Sequence, residues 1–314
     1  MMEYLILILT LAGIIIGADY LVSGAVGIAK RFKISDFVIG IAIVGIGTSM
    51  PELTVSFMGA LQDNAEVAIG NVVGSNIFNV LGILGITTLL FPLAINKANL
   101  KFEIPFCVGI SIFVTLLSFN FFFLPEPVLS RLDGVILIIV FLVSMWISFR
   151  KGKSTPETQE ICPIPNIWVS IGKTIGGLAL LIFSCDYFIE SAVELAKSFG
   201  VSDGFISITL IACGTSLPEL AASITAALKK NADLSLGNII GSNIFNIGLI
   251  LGVSSLVTPL SSPQITVFDY AVMIFAAILP LLFGIKGKMT RASGAFMLFC
   301  YIGYTIYLFK MQMI

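Results

Sequence analysis

Two glutamates, Glu52 and Glu219, each follow a proline inside apolar sequence, a combination that could bind a cation. The peptide Gly-Thr-Ser-Met-Pro-Glu-Leu at 47–53 recurs as Gly-Thr-Ser-Leu-Pro-Glu-Leu at 214–220. No lysine or arginine lies close to either glutamate in the sequence. Two carboxylates buried without a basic partner are stable as charged groups only when a cation joins them. The repeated peptides therefore predict a cation site.

A second pair of peptides repeats at the same offset of 167 residues: Gly-Asn-Val-Val-Gly-Ser-Asn-Ile-Phe-Asn at 70–79 and Gly-Asn-Ile-Ile-Gly-Ser-Asn-Ile-Phe-Asn at 237–246. On a helix, each copy would carry a polar stripe of side chains four residues apart. The stripes are Asn71, Ser75 and Asn79, and Asn238, Ser242 and Asn246. For these stripes alone, hydrogen bonding between helices is an equally good explanation.

The residues around each glutamate add further oxygen donors. Thr48, Glu52 and Ser56 are spaced four apart, as are their counterparts Thr215, Glu219 and Ser223. Pro51 and Pro218 have no N–H, so each frees a carbonyl four residues earlier, which a bound cation could satisfy.

Carboxylate, hydroxyl, amide and carbonyl oxygens are hard ligands that suit Ca²⁺ or Na⁺ and not zinc or copper. Two glutamates supply two negative charges. One Ca²⁺ neutralises both, whereas more than one Na⁺ is needed to do so. Ions that compete for the same two carboxylates would exchange with each other, so the donor set predicts antiport.

The composition places these peptides in a membrane. Hydrophobic residues make up 57% of the 314 residues and charged residues only 11%, with a mean hydropathy of +1.05. Such a chain is an integral membrane protein, and its net charge of -1 argues against binding nucleic acid. There is no histidine, and the five cysteines form no CxxC pair, so neither a zinc site nor a disulfide framework is expected. The apolar N-terminus lacks the features of a cleaved signal and is predicted to be the first membrane helix.

Hydropathy predicts an all-α integral membrane protein with ten transmembrane helices, each with the roughly 20 apolar residues that a span needs. The predicted spans are 3–29, 37–60, 65–92, 102–123, 130–149, 167–196, 204–228, 232–259, 266–285 and 291–310. The polar stretch 150–166 is predicted to be a cytoplasmic linker between a first half, 1–149, and a second half, 167–314. Long, continuously apolar runs exclude a β-barrel.

The basic residues orient these spans. With the N-terminus outside, thirteen lysines and arginines fall in inner loops and only Arg131, Lys197 and Lys310 on the outer side. Both termini are therefore predicted to be extracellular, in the cell membrane. Five spans per copy is an odd number, so the two repeats must be inverted. A monomer is expected because one chain contains both copies of the site.

The paired peptides resemble those of the Na⁺/Ca²⁺ exchanger branch of the calcium/cation antiporter superfamily, prokaryotic type, and the resemblance extends over nearly the whole chain. It implies that Glu52 and Glu219 are central ligands shared by Ca²⁺ and Na⁺, with alternating access by sliding of the first and sixth spans. It implies one Na⁺ pocket of Thr48, Ser49, Ser75 and the Gly45 carbonyl. A mirror pocket would contain Thr215, Ser216, Ser242 and the Ala212 carbonyl, with Asn79 and Asn246 at the middle.

One position bears on the ions transported. The K⁺-dependent exchangers carry aspartate where this chain has Asn246, so the resemblance implies K⁺-independent exchange. No cofactor is expected, and the linker is too short to contain the regulatory domains of animal exchangers.

Three other functions are weighed against Na⁺/Ca²⁺ antiport. A Ca²⁺/H⁺ exchanger on the same scaffold is the nearest, although the hydroxyl-rich flanks of both glutamates favour Na⁺. A Ca²⁺-permeable channel is disfavoured by inverted halves around one acid pair. An intramembrane enzyme is disfavoured because the chain offers no histidine and no nucleophile–base pair.

Overall fold

The computed structural model describes residues 2–119, 128–152, 166–199, 214–261 and 264–312. Within these ranges the protein is mostly helical, with one short antiparallel ribbon, β1 (Leu93–Ala94) with β2 (Lys288–Met289), and an isolated antiparallel bridge between Leu129 and Leu260. The helices are α1 Met2–Phe32, α2 Asp36–Thr48, α3 Met50–Leu61, α4 Ala65–Leu90, α5 Glu103–Ser118, α6 Arg131–Lys151, α7 Ile167–Ser198, α8 Leu217–Leu228, α9 Ala232–Val257, α10 Val267–Gly284 and α11 Arg291–Gln312.

Eight of the described helices are long and apolar enough to cross a membrane, and α2 with α3 forms a further candidate span bent by 51°. This confirms the prediction of an all-helical, multi-pass membrane protein. The predicted span 204–228 is described only from residue 214, where α8 supplies its second part.

The helices α4 and α9 form the centre of the bundle, and α1 and α7 lie at its periphery. The most apolar stretches of α4 and α9 are 78% and 83% buried, whereas those of α1 and α7 are only 22% and 28% buried. Large apolar side chains such as Ile8, Leu9 and Phe183 are exposed on the outer pair. These surfaces suit contact with lipid.

Glycines allow α1 and α7 to pack with their backbones in contact. A Cβ atom placed on Gly177 would lie 2.4 Å from the backbone nitrogen of Leu21 and 2.8 Å from the carbonyl oxygen of Gly17. A Cβ on Gly17 would likewise lie 2.7 Å from the backbone nitrogen of Leu181. Close approach of this kind is how small residues hold membrane helices together without a hydrophobic driving force.

A second glycine contact brings α2 against α9. A Cβ on Gly237 would lie 2.3 Å from the carbonyl oxygen of Phe37, and one on Gly241 would lie 2.4 Å from Cα of Ile41. Gly45 of α2 takes part in the same contact, since a Cβ atom placed on it would lie 2.9 Å from the backbone nitrogen of Ser242 on α9. The second repeated peptide of one copy is thereby placed beside the first repeated peptide of the other.

The helices that carry the repeated peptides are not regular. Wide π-type turns interrupt α2 at Gly40–Gly45, α4 at Phe78–Leu84 and α9 at Asn246–Leu251. The break between α2 and α3 falls on Ser49 (φ −84°, ψ 14°), and Pro51 lies in the first turn of α3, where its missing N–H is tolerated. Thr48 and Glu52, expected on one face of a continuous helix, therefore belong to different helices.

The turns that lead into α4 and α9 have the same local structure. Asp63 and Lys230, which occupy matching positions of the two copies, both have positive φ, 56° and 59°. The next residue of each copy caps the helix: Asn64 accepts a hydrogen bond from the backbone N–H of Val67, and Asn231 accepts one from Leu234.

The α1–α7 contact can be tested with two adjacent glycines of α7. A Cβ on Gly177 meets backbone atoms of α1, whereas a Cβ on Gly176 meets nothing within 4 Å. We expect G177A to destabilise the protein by about 1–3 kcal/mol, because backbone cannot move aside as a flexible side chain can. G176A should be neutral or slightly stabilising, since alanine favours helix by up to about 1 kcal/mol over glycine. Thermal unfolding in detergent measures both, and equal midpoints for the two variants would contradict the packing.

Candidate ion-binding site

The two glutamates lie at the first turns of two helices. Glu52 is in the first turn of α3 and Glu219 in the first turn of α8, and both residues are 0% exposed. The N-terminus of a helix has a partial positive charge that stabilises an adjacent carboxylate. The breaks that precede α3 and α8 therefore do more than bend the chain, because each one places a helix N-terminus next to a buried acid.

Each glutamate is hydrogen-bonded by a serine of the other copy. The Ser49 hydroxyl donates to Oε1 of Glu219 over 2.7 Å, and the Ser216 hydroxyl donates to Oε1 of Glu52 over 2.8 Å. Ser49 directly precedes α3 and Ser216 directly precedes α8. This exchange of partners between the copies brings the two carboxylates together in one candidate site.

Four buried oxygens of the site lack a hydrogen-bond partner within the described part of the chain. They are Oε2 of Glu52, Oε2 of Glu219, Oδ1 of Asn79 and Oδ1 of Asn246. A buried acceptor without a partner costs roughly 1–3 kcal/mol, and more when it is charged. A cation bound among them would satisfy all four, and two carboxylates with two amide oxygens form a hard donor set for Ca²⁺ or Na⁺.

Packing places the turns that carry the amides against the helices that carry the glutamates. The wide turn Asn246–Leu251 lies against α3, which carries Glu52, and the wide turn Phe78–Leu84 lies against α8, which carries Glu219. Asn79 and Asn246 therefore each lie in a segment packed against the helix that carries the glutamate of the opposite copy. π-type turns of this kind recur at functional sites in other proteins.

Further oxygens surround Glu219. The Thr48 hydroxyl donates to the carbonyl of Val44 over 3.0 Å and lies 3.2 Å from Oδ1 of Asn238. The Ser242 hydroxyl donates to the carbonyl of Gly45 over 3.3 Å. The structure thus places Ser242 with Gly45 and Thr48, across the two copies, and this differs from its expected grouping with Thr215 and Ser216.

The other predicted residues are distributed as follows. Thr215 is partly buried next to Ser216, and Ser75 is buried on α4. Ala212, the predicted carbonyl ligand of the mirror pocket, lies outside the described residues.

The two polar stripes divide into two roles. Asn71 donates from Nδ2 to the carbonyl of Glu52 and to the Ser56 hydroxyl, over 3.1 and 2.8 Å. In the other copy, Asn238 does the same with Glu219 and Ser223, over 3.2 and 2.9 Å. These asparagines join neighbouring helices, whereas Oδ1 of Asn79 and of Asn246 is buried without a hydrogen-bond partner among the described residues. Hydrogen bonding between helices therefore accounts for Asn71 and Asn238, and ion binding stays a prediction for Asn79 and Asn246.

Two groups of contacts were not singled out from the sequence. Asn76 and Asn243 are buried and hydrogen-bond across the two copies next to Asn79 and Asn246. Their identity in both repeated peptides was the available signal. Lys229, at the end of α8, forms an ion pair with Asp19 of α1 over 2.7 Å. The counterpart of Lys229 in the first copy is Gln62, so the sequence repeat does not predict this pair.

A multi-pass helical membrane protein with a buried carboxylate pair among hard oxygen donors has the features of a cation transporter. Comparison with known proteins identifies the class further: the family model described as sodium/calcium exchanger protein matches residues 2–150 and 169–310. The chain belongs to the sodium/calcium exchanger family.

Individual relatives cover nearly the whole chain. Sodium/calcium exchanger MaX1 of Methanosarcina acetivorans is 32% identical over 98% of both chains. Inner membrane protein YrbG of Escherichia coli is 33% identical over 87% of this chain and 86% of its own. Among solved structures, the sodium-calcium exchanger NCX_Mj superposes with a TM-score of 0.85 at 31% identity, over 98% of both chains.

The exchanged serine bonds can be tested by single substitutions. We expect S49A and S216A each to weaken Ca²⁺ binding by about tenfold or more, because a hydrogen bond to a carboxylate contributes roughly 1.5–3 kcal/mol. T54V is a matched control, since Thr54 is an exposed hydroxyl residue of α3 that donates only to the carbonyl of Met50. Equilibrium binding of radioactive Ca²⁺ to purified protein measures the effect. Unchanged affinity in both serine variants would show that these bonds do not shape the site.

Proposed function

We propose that this protein exchanges Na⁺ for Ca²⁺ across the cell membrane by alternating access at the site of Glu52 and Glu219. The observation that carries the proposal is the pair of fully buried carboxylates whose Oε2 atoms lack a hydrogen-bond partner within the described residues. The hydrogen bonds to the Oε1 atoms come from serine hydroxyls, which carry no charge. Neutralisation is left to the transported cation.

Charge balance explains why the two ions exchange. One Ca²⁺ neutralises both carboxylates, whereas Na⁺ can do so only when more than one ion binds. The hydroxyls of Thr48, Ser49, Ser216 and Ser242 around the glutamates supply the neutral oxygens that additional Na⁺ ions need. Because both cations require the same two carboxylates, each displaces the other, and a carrier that moves only when neutralised couples their fluxes.

The relatives support this function. MaX1 and NCX_Mj are both named sodium/calcium exchangers, and each matches this chain over almost its full length. A site that spans both copies requires such coverage, since each copy supplies only one of the two glutamates.

The architecture that we propose has ten transmembrane helices in two inverted five-helix halves, 1–149 and 167–314, with 150–166 as a cytoplasmic linker. The matching positive-φ turns at Asp63 and Lys230 and the exchanged serine–glutamate bonds support it. The positive-inside distribution supports extracellular termini. We propose a monomer, because one chain supplies both glutamates.

Asn246 supports exchange without K⁺. Its neutral amide leaves the site with the charge of two glutamates alone, and an acid at this position would add a charge able to hold another monovalent cation. The hydroxyl-rich flanks of both glutamates favour Na⁺ over a proton as the counter-ion, and transport is measured against both.

The direct test is Ca²⁺ uptake into proteoliposomes loaded with Na⁺ and diluted into Na⁺-free medium, with and without K⁺ and with and without a proton ionophore. We expect uptake that requires the Na⁺ gradient, is unaffected by K⁺ and persists with the ionophore. Uptake driven instead by a pH gradient would assign the protein to Ca²⁺/H⁺ exchange. Downhill Ca²⁺ flux that depends on neither the Na⁺ gradient nor the pH gradient would indicate a channel.

The site is tested in the same assay by E52Q and E219Q. Each substitution removes one of the two charges that Ca²⁺ requires while keeping the size of the side chain, so we expect each variant to lose Ca²⁺ uptake and still insert and purify normally. E66Q is the matched control: Glu66 also lies in the first turn of a helix, α4, but is only partly buried. Robust Ca²⁺ uptake by either E52Q or E219Q would overturn the assignment of the site.

The proposed orientation of the chain in the membrane predicts the behaviour of reporter fusions. Alkaline phosphatase fused after residue 314 should be active, because this enzyme folds only outside the bacterial cytoplasm. Green fluorescent protein fused at the same position and exported by the same secretion route should be dark. Fusions truncated within 150–166 should give the reverse pattern. A fluorescent C-terminal fusion would place the C-terminus in the cytoplasm. This result would exclude the proposed topology of ten spans with both termini extracellular.

A further inference from the structure

We propose that Asn76 and Asn243 are positioning residues that fix the orientation of the amides of Asn79 and Asn246 and so direct two amide oxygens toward the transported cation. The inference rests on the proposed cation site and adds residues that touch no ion themselves. All four asparagines are buried, with at most 3% exposed.

The amides are joined across the two copies. Asn79 donates from Nδ2 to Oδ1 of Asn243 over 3.0 Å. Asn246 donates from Nδ2 to Oδ1 of Asn76 over 3.1 Å. Each asparagine of the site therefore takes its orientation from the opposite half of the chain.

The positioning residues are themselves held by backbone. Asn76 donates from Nδ2 to the carbonyl of Asn243 over 3.3 Å, and Asn243 donates from Nδ2 to the carbonyl of Asn76 over 3.2 Å. A backbone carbonyl can only accept, so it determines which end of each amide faces it. With their NH₂ groups committed in this way, Asn76 and Asn243 can present only oxygen to Asn79 and Asn246.

This arrangement makes the opposite amide orientation of Asn79 or Asn246 unfavourable for two reasons. An asparagine side chain has one acceptor end and one donor end. If the Asn79 amide turned over, its oxygen would face Oδ1 of Asn243, and its NH₂ group would point toward the cation. In the observed orientation Oδ1 of Asn79 and of Asn246 has no hydrogen-bond partner among the described residues.

A purely structural role does not account for these oxygens. The reciprocal bonds of Asn76 and Asn243 to each other's carbonyl already join α4 and α9, and they need nothing from Asn79 or Asn246. Two further buried amides, each with an unsatisfied oxygen, would only destabilise such a contact. Their position in the wide turns that pack against α8 and α3 gives those oxygens a use as ligands.

The test is a double-mutant cycle on Ca²⁺ affinity with N243A, N79A and the double variant, measured by equilibrium Ca²⁺ binding to the purified full-length protein. We expect N243A to weaken binding about tenfold or more in the wild-type background and to have little further effect when N79A is present.

A control distinguishes positioning from general loss of stability. Asn99 is also a buried asparagine that donates to a side chain, Asp233, but it lies outside the site. N99A should lower the thermal midpoint without changing Ca²⁺ affinity. If N243A does not yield folded protein, the mirror cycle of N76A with N246A measures the same coupling.

The outcomes separate this inference from the proposed function. Equal loss of affinity from N243A with and without N79A, or no loss at all, would overturn the positioning role even if Na⁺-driven uptake by the wild type is intact. Coupled loss of affinity in a protein whose uptake ignores Na⁺ would support positioning and reject Na⁺/Ca²⁺ exchange. A wild-type protein that binds no Ca²⁺ would overturn both.

Discussion

Two carboxylates buried at one point in an apolar bundle are the constraint on which the rest of the structure depends. Each charge must be compensated locally, since both glutamates are fully buried and no lysine or arginine lies close to either in the sequence. The protein meets the requirement with groups of partial charge: a helix N-terminus beneath each glutamate and one serine hydroxyl on each Oε1 atom. These groups orient the carboxylates without neutralising them, so in the function that we propose the full positive charge arrives with the transported ion.

The irregular helices follow from the same requirement. A continuous helix could not present an N-terminus inside the bundle, and the bend at Ser49 provides one for α3. The wide turns of α4 and α9 release backbone from regular spacing at Asn79 and Asn246, in segments packed against the helices that carry the glutamates. Glycines then allow α9 to approach α2 closely enough for Ser242 to reach the Gly45 carbonyl. Breaks, turns and glycines are thus all needed to bring polar groups from both copies to one place.

The sequence predicted the members of this site better than their partners. A carboxylate beside a proline, repeated at a constant offset, identified Glu52 and Glu219, because few other uses exist for such a residue in apolar sequence. The sequence pattern could not reveal that Ser49 donates its hydrogen bond to Glu219 rather than to Glu52, since spacing within one copy carries no information about contacts between copies. Pro51 was expected to disturb the helix by freeing the carbonyl four residues earlier, yet the break falls on Ser49, because proline is accommodated in the first turn of the new helix. Asn76 and Asn243 were visible in the repeat, but only their contacts distinguish them from packing residues.

The exchange of partners between copies also bears on coupling. Four hydrogen bonds between described side chains orient a glutamate or a site amide, and in each the partner comes from the other half: Ser49 for Glu219, Ser216 for Glu52, Asn243 for Asn79 and Asn76 for Asn246. Movement of one half relative to the other would therefore disturb both glutamates and both amides together. In the function that we propose, a site built in this way would bind its ions as a unit, since a partly loaded state would leave charged groups unsatisfied in both halves. Such a state would be costly to carry through the membrane, and this penalty would tie the movement of one cation to the return of another.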